Sequence, residues 1–291
     1  MKTWAVSSLK TKRWGFILLP IRTDTGWKSF PCADTYRFRI IECDSEKDNL
    51  WQKPEVVSVY RRGNNMYRPE VFIFDMDGLM FDTERISVPC WRAVGRKYGI
   101  EMEDSFFDKI FGMNNAKIKE MFLQTYGNNF PYDSFHDEKK AMQLAIYQEK
   151  GAPVEPGLEE CLDFAKDMGI RCAVASSSAE DTVRLLLHKA GLTSYFCHIQ
   201  SGDAMAHSKP APDIFLAVCQ ILDVEPGRAL VFEDSGNGLK AAAAAHIPSI
   251  WVPDLVHVEP EVAATAWHTC QTLADVPPLI RNLPVWKESA K

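Results

Sequence analysis

The clearest pattern in the chain begins at Val71. Val71-Phe-Ile-Phe74 is an apolar run too short for a helix and long enough for a buried strand, and it stops at Asp75-Met-Asp77-Gly78. Ahead of it, Trp4, Trp14, Trp27 and Trp51 are scattered among basic and polar residues with no sustained period, so no firm element is assigned to residues 1–65. Behind it, apolar stripes at helical spacing predict a helix over Arg85–Tyr98, with Val88, Trp91, Val94 and Tyr98 on one face. Asp104 or Ser105 is placed to cap a short helix, Asn114 or Asn115 to cap another, and a longer one covers Asp133–Lys150. No strand pattern interrupts residues 83–150. Pro153, Pro156 and Gly157 then mark a change of rhythm.

From Leu158 onward strands and helices alternate. Helix Leu158–Met168 precedes strand Ile170–Ala175, helix Ala179–Ala190, a short strand over Phe196–Gln200 and helix Pro212–Leu222. Strand Ala229–Phe232, helix Gly238–Ala245 and strand Ile247–Val252 follow. Apolar strands separated by helices of this length predict an α/β fold, a doubly wound parallel sheet covered on both faces. Gly169 and Gly191 fall just past helix ends, where a left-handed residue is wanted. Three parts result: an N-terminal extension over 1–65, an α/β core over 66–82 and 151–291, and an inserted helical cap over 83–150. Because the orderly pattern starts only at Val71, Met66 is a candidate for the natural start.

Composition narrows the function classes. A hydrophobic fraction of 46% and a charged fraction of 25% are those of a soluble globular protein. A net charge of −6 argues against a broad nucleic-acid surface, although a local cation cluster or a metal can still hold a small anion. Trp14–Ile21 is too short to span a membrane, and the basic, acid-poor start has no small-residue cleavage pattern. The 8 cysteines form no C-x-x-C pair, which points to unpaired thiols in a reducing compartment and so to the cytoplasm. The expected partner is a small anion rather than nucleic acid or membrane, and the expected assembly a monomer or weak homo-oligomer.

The chemistry lies in four short stretches at or beside the carboxyl ends of the predicted strands, the edge where open α/β sheets bind ligands. Asp75 and Asp77 point to the same side of an extended backbone, a costly arrangement unless a cation, a shared proton or a substrate relieves it. The alternatives are an acidic turn or a calcium loop, but an EF-hand has its glycine at a later position than Gly78. Ser176-Ser-Ser178 is either a helix cap or a phosphate cradle. Lys209, in His207-Ser-Lys-Pro-Ala-Pro-Asp213, is either a solvated charge or a neutralising cation. Glu233-Asp234-Ser235, two further acids at the end of a strand with glycines after them, reads on its own as a helix-capping device. A capping device has no need of four acids, a lysine and serines around one crevice.

Asp75-x-Asp77-Gly, Ser176 after a strand, Lys209-Pro and Glu233-Asp234 resemble, in order, the four motifs of the haloacid dehalogenase superfamily, and the helical insertion resembles its small cap. Asp-Met-Asp-Gly-Leu-x-x-Asp-Thr-Glu84 and Lys209-Pro-x-Pro-Asp-Ile-Phe215 are closest to the β-phosphoglucomutase-like and sugar-phosphate phosphatase branch. The resemblance covers Arg68 to the C-terminus. It implies a phosphatase of small phosphate esters that uses an aspartyl-phosphate: Asp75 as nucleophile, Asp77 as general acid and then base, Lys209 neutralising the phosphoryl group, and Ser176 and Ser177 holding its oxygens. It further implies Mg²⁺ held by Asp75, the Asp77 backbone carbonyl and Asp234, with Glu233 beside them.

The cap loop with Met113, Asn114 and Asn115 is expected to set specificity. Superfamily mutases carry a hinge histidine and a phosphate-gripping arginine at positions that are Ser87 and Asn115 here, which favours hydrolysis over a β-phosphoglucomutase-like reaction. Lys139 or Lys140 would have to supply the missing charge. A non-catalytic binding protein on the same scaffold is the remaining alternative.

Overall fold

The computed structural model describes residues 15–20, 38–43, 68–110, 115–255 and 257–283. The chain divides into two units, Met1–Gly63 and Asn64–Lys291. In the first, β1 (Gly15–Pro20) and β2 (Phe38–Cys43) pair antiparallel, with Gly15 opposite Cys43 and Pro20 opposite Phe38. The sequence assigned no element here because neither stretch alternates in polarity; only the pairing identifies them. Met66 lies outside the described residues.

The second unit is built on a six-stranded sheet in which every neighbouring pair runs parallel. Its strands are β3 (Val71–Phe74), β4 (Arg171–Ser176), β5 (Phe196–Ser201), β6 (Ala229–Glu233), β7 (Ser249–Trp251) and β8 (His268–Thr269), in the order β5-β4-β3-β6-β7-β8. The strand of the opening motif is therefore central. Val71 lies beside Arg171 on one flank and Ala229 on the other, and Phe74 beside Val174 and Phe232. The chain moves outward from β3 to β4 and β5, then crosses back to β6. That reversal makes the carboxyl end of β3 the topological switch point of the sheet, the place where open α/β folds bind ligands.

Side chains alternate across the sheet as a period of two requires. Phe72, Phe74, Cys172, Val174, Leu230 and Phe232 face one layer, packed with α5 (Leu158–Asp167), α6 (Glu180–Lys189) and α10 (Val276–Arg281). Val71, Ile73, Ala173, Ala175, Ala229 and Val231 face the other, packed with α7 (Asp213–Ile221) and α8 (Gly236–Ala244). Between β3 and β4 come α1 (Glu84–Lys97), α2 (Asp104–Ile110), α3 (Asn115–Tyr126) and α4 (Tyr132–Lys150), which share an apolar cluster of their own around Trp91, Phe107, Phe122 and Phe135.

Several boundaries differ from the sequence reading for local reasons. β4 and β6 each run one residue further, to Ser176 and Glu233, because hydrogen bonds keep these polar ends buried. α8 starts at Gly236 rather than Gly238, because the Ser235 hydroxyl caps it by accepting from the Gly238 N–H at 3.1 Å. Asp104 and Asn115 are first residues of their helices rather than caps: Asp104 pairs with Arg92, and Asn115 Oδ1 accepts from the Tyr132 hydroxyl at 2.6 Å. No local pattern predicts β8, α9 (Pro260–Ala263) or α10, which are short and, in α10, begin on Val276-Pro-Pro278. Gly169 and Gly191 take φ of 67° and 73°, as expected past a helix end.

Two crossings join the helices to the sheet. The Asp82 N–H bonds Pro153 O at 3.0 Å and the Glu155 N–H bonds Met80 O at 2.9 Å, so the outgoing and returning chains are laced side by side. At the outgoing crossing, Glu84 and Asp254 each bury a carboxylate oxygen that finds no donor among the described residues. Burial first, then the charges of Asp254, Asp77 and Asp82, push the Glu84 carboxyl up to about 8.

Two stability tests follow. Gly157 sits at φ 83°, and a Cβ there would lie 2.0 Å from the Ala274 nitrogen; Gly157→Ala is expected to lose roughly 2–4 kcal/mol in denaturant unfolding. The folded chain holds the Glu84 proton up to about pH 8, whereas the unfolded chain releases it near 4.5, so this group lowers stability as pH rises through that window. Glu84→Gln should therefore gain in Tm over wild type as pH is raised through it, and a constant difference would contradict the assignment.

Candidate active site

The strand ends deliver their polar residues to one place. Asp75 continues the ladder of β3, its N–H bonded to Phe232 O at 3.1 Å, and its side chain is buried. Lys209 reaches in from the loop ahead of α7 and is buried too, its ammonium 4.9 Å from the centre of the Phe215 ring. Its three protons go to Asp75 Oδ1, to Glu233 Oε1 at 2.6 Å and to Ala175 O at 3.1 Å. The other Glu233 oxygen accepts from the Ser235 N–H at 3.1 Å and its hydroxyl at 3.0 Å, so this acid is satisfied on both edges.

Ligand oxygens of Asp75, Glu233 and Asp234, all buried, lie within 4.8 Å of one another. Gly78 permits this approach: at φ 81° it turns the chain, and a Cβ there would stand 2.6 Å from Asp234 Oδ2. The crowding shows in the protonation balance. Burial pushes the Asp75 carboxyl up to about 7 against the pull of Lys209, with Glu233 and Asp77 adding to the rise. Burial, then Glu233, Asp75 and Glu84, raises Asp234 far above the usual carboxylate range. Burial alone would lower Lys209, yet Asp75 and Glu233 outweigh it and hold the ammonium charged. One lysine facing three buried carboxylates leaves negative charge uncompensated, and the donors are hard oxygens, a set that fits Mg²⁺.

The Asp77 carboxylate stands apart from this group. Its Oδ1 accepts from the Thr83 hydroxyl at 2.9 Å, and its Oδ2 from the Ser178 hydroxyl at 2.8 Å and, at longer range, the Ser176 hydroxyl at 3.4 Å. Ser176 is fully buried and accepts from the Ser178 N–H at 2.9 Å. Ser177 is exposed at the head of that loop.

The structure thus brings Asp75, Asp77, Ser176, Lys209, Glu233 and Asp234, the residues expected from the sequence, together at the carboxyl edge of the sheet, and adds Thr83 and Ser178. Both stand inside motifs singled out in the sequence. Their hydroxyls became site residues only through the rotamers that turn them to Asp77. In the inserted helices Met113 and Asn114 lie outside the described residues, and Asn115 turns its side-chain oxygen to Tyr132. Of the two lysines, Lys140 is exposed and Lys139 is buried, 4.9 Å from the Trp91 ring centre. Burial lowers Lys139 to about 8, against the opposing pull of Cys90 and Asp77.

Comparison with known proteins gives the family. Residues 72–252 match the family described as Haloacid dehalogenase-like hydrolase. The "Phosphorylated carbohydrates phosphatase" of Thermotoga maritima is 31% identical over 186 residues, covering 62% of this chain and 84% of its own. Among solved structures, CbbY from Rhodobacter sphaeroides in complex with phosphate is 28% identical with a TM-score of 0.64, covering 72% of this chain and 96% of that one. A putative β-phosphoglucomutase from Thermotoga maritima is 26% identical with a TM-score of 0.61, covering 74% and 99%. With the four motif groups around one crevice of a parallel sheet, the chain belongs to the haloacid dehalogenase-like hydrolase family, as a phosphoric monoester hydrolase.

Proposed function

We propose that the protein is a Mg²⁺-dependent phosphatase of a small sugar phosphate that works through an aspartyl-phosphate on Asp75. The observation that carries this reading is the buried Asp75–Lys209 pair beside the Asp75–Glu233–Asp234 group, with the Asp77 carboxylate held separately. An Asp75 oxygen attacks phosphorus as the ester oxygen leaves with a proton from Asp77. The phosphoryl group, now bonded to Asp75, is then attacked by a water that gives its proton to Asp77; phosphate departs and Asp75 is a carboxylate again. Asp75 must be ionised to attack, and Lys209 opposes the burial that would keep it protonated. Asp75, Asp234 and the Asp77 carbonyl would hold Mg²⁺, with Glu233 fixing Lys209 and the Ser235 cap beside them; the ion supplies positive charge against the transferring phosphoryl group. Ser176 and Ser177 would hold phosphoryl oxygens.

The inserted helices would act as a cap over this crevice, with the loop of Met113, Asn114 and Asn115 as its specificity element. The relatives named as a carbohydrate phosphatase and as CbbY bound to phosphate support a small phosphorylated substrate. Ser87 and Asn115 supply neither the histidine nor the arginine of a mutase, which favours water as the acceptor. Lys139 is the one observation on the mutase side, as a buried cation in the helices. A cytoplasmic location fits the free thiols of Cys90, Cys161, Cys172, Cys197, Cys219 and Cys270.

Hydrolysis of p-nitrophenyl phosphate tests the reading: Asp75→Asn should abolish it, and Lys209→Met should lower kcat by about 10²–10³-fold. Chelation with EDTA should abolish activity and Mg²⁺ restore it, while Ca²⁺, which demands more ligands, should not. A wild type inactive across hexose, pentose and nucleoside phosphates in Mg²⁺ would overturn it. Turnover of a sugar phosphate to its isomer, only with a bisphosphate present, would favour the mutase.

A further inference from the structure

Strand β5 carries none of the four motif groups, yet its carboxyl end is built against the loop that follows β4. Ser201, the last residue of β5, lies beside Ser176 in the parallel register. Its buried hydroxyl donates to Ser178 O at 2.9 Å and accepts from the Asp203 N–H at 3.2 Å. The partners fix the sense of both bonds: a carbonyl only accepts and an N–H only donates, so the one hydroxyl proton goes to Ser178. Ser201 is held in turn, because Gln200 Nε2 donates to its carbonyl at 3.2 Å.

Helix α6 leaves the Ser178 carbonyl to Ser201. Its first N–H groups, those of Thr182 and Val183, go instead to Ala179 O at 3.0 and 3.2 Å. Ser178 is therefore gripped through three groups: its N–H by Ser176 Oγ at 2.9 Å, its hydroxyl by Asp77 Oδ2 at 2.8 Å and its carbonyl by Ser201. Gly202 closes the contact from the β5 side. A Cβ there would stand 3.1 Å from Ser177 Cα and 3.5 Å from the Ser176 and Ser177 carbonyl oxygens, so a side chain would press on this backbone. Ser177, exposed at the head of the loop, thus has Gly202 behind it and a tethered residue after it.

We propose that Ser201 is a positioning residue for phosphate binding: acting on the Ser178 carbonyl, with Gly202 against Ser177, it fixes the loop that holds the phosphoryl oxygens. A strand that supplies no catalytic residue then sets the affinity of the site for the phosphate group. This rests on the phosphatase reading, in which Ser176 and Ser177 hold those oxygens.

Phosphate affinity is the readout. Ser201→Ala leaves the half-buried Ser178 carbonyl without its donor, and the loop must shift to find water. The KM for p-nitrophenyl phosphate and the Ki of inorganic phosphate as a competitive inhibitor are expected to rise together by roughly ten-fold, with kcat within about three-fold of wild type. The split is expected because Asp75 and Lys209 are untouched and Asp77 keeps its bond from Thr83. Ser201→Thr, which keeps the hydroxyl, should recover both constants. Gly202→Ala should give the same paired rise by pressing on Ser177, and tests the loop even if Ser201→Ala does not fold. Constants unchanged from wild type, a fall in kcat alone, or the same loss in Ser201→Thr as in Ser201→Ala overturns the proposal. A wild type that neither hydrolyses phosphate esters nor binds inorganic phosphate overturns the phosphatase reading beneath it.

Discussion

A single buried ammonium ties the middle of this protein together. Lys209 gives its three protons to Asp75 at the end of β3, to Ala175 in β4 and to Glu233 in β6, so one cation joins the carboxyl ends of three adjacent strands. None of its protons is left over. Taking such a charge out of water costs several kcal/mol, and the two carboxylates, with the Ala175 carbonyl and the Phe215 ring, offset that cost. The converse also holds: without Lys209 the two acids would be unpaired charges in the interior. The arrangement is thus held by mutual need, which explains why residues so expensive to bury stand where three strands end.

The offset is incomplete. Asp234 adds a further buried carboxylate with no lysine of its own, and Asp75 sits near 7 despite the contact with Lys209. A site with excess negative charge and hard oxygen donors is poised to take a cation, and a cation at that point would suit an incoming dianion as well. Binding chemistry and folding cost are therefore two sides of one imbalance. Functional sites often store such tension, because the groups that pull on a substrate are those that the fold would rather not bury.

Asp77 belongs to a different set of forces. Its carboxylate is held by hydroxyls, one from the crossing to the helices, one from the end of β4 and one from the loop after it. The helices have their own aromatic cluster and join the sheet by two laced crossings, so they can be stable as a body without the sheet layer fixing every contact. Tyr147, carried by α4 yet buried in the cluster of the sheet layer, is one side chain that ties the two together.

How much of this was legible beforehand differs by scale. Val71–Phe74, Ile170–Ala175 and Ala229–Phe232 could be recognised as strands because a covered parallel sheet demands unbroken apolar runs, and the polar residues at their ends could be recognised as site residues because nothing apolar remains to justify them. The insertion of helices was legible from its period. β1, β2 and β8 were not, because their pairing depends on partners distant in sequence rather than on any local alternation. Lys139 and Lys140 were equivalent on paper; the phase of α4 buries the first and exposes the second.

What the amino-acid order determined by itself was the set of strands and helices and the identity of the acids, the lysine and the serine that close the strands, since local hydrophobic period and abrupt polar breaks are carried by neighbours in the chain. What only the tertiary structure decided was which of these groups touch: that Lys209 is shared by Asp75 and Glu233, and that the Asp77 carboxylate accepts from Thr83 and Ser178. Those contacts join residues brought together by strand order and crossover, and a hydrogen bond exists only when distance and rotamer agree, which no local pattern encodes.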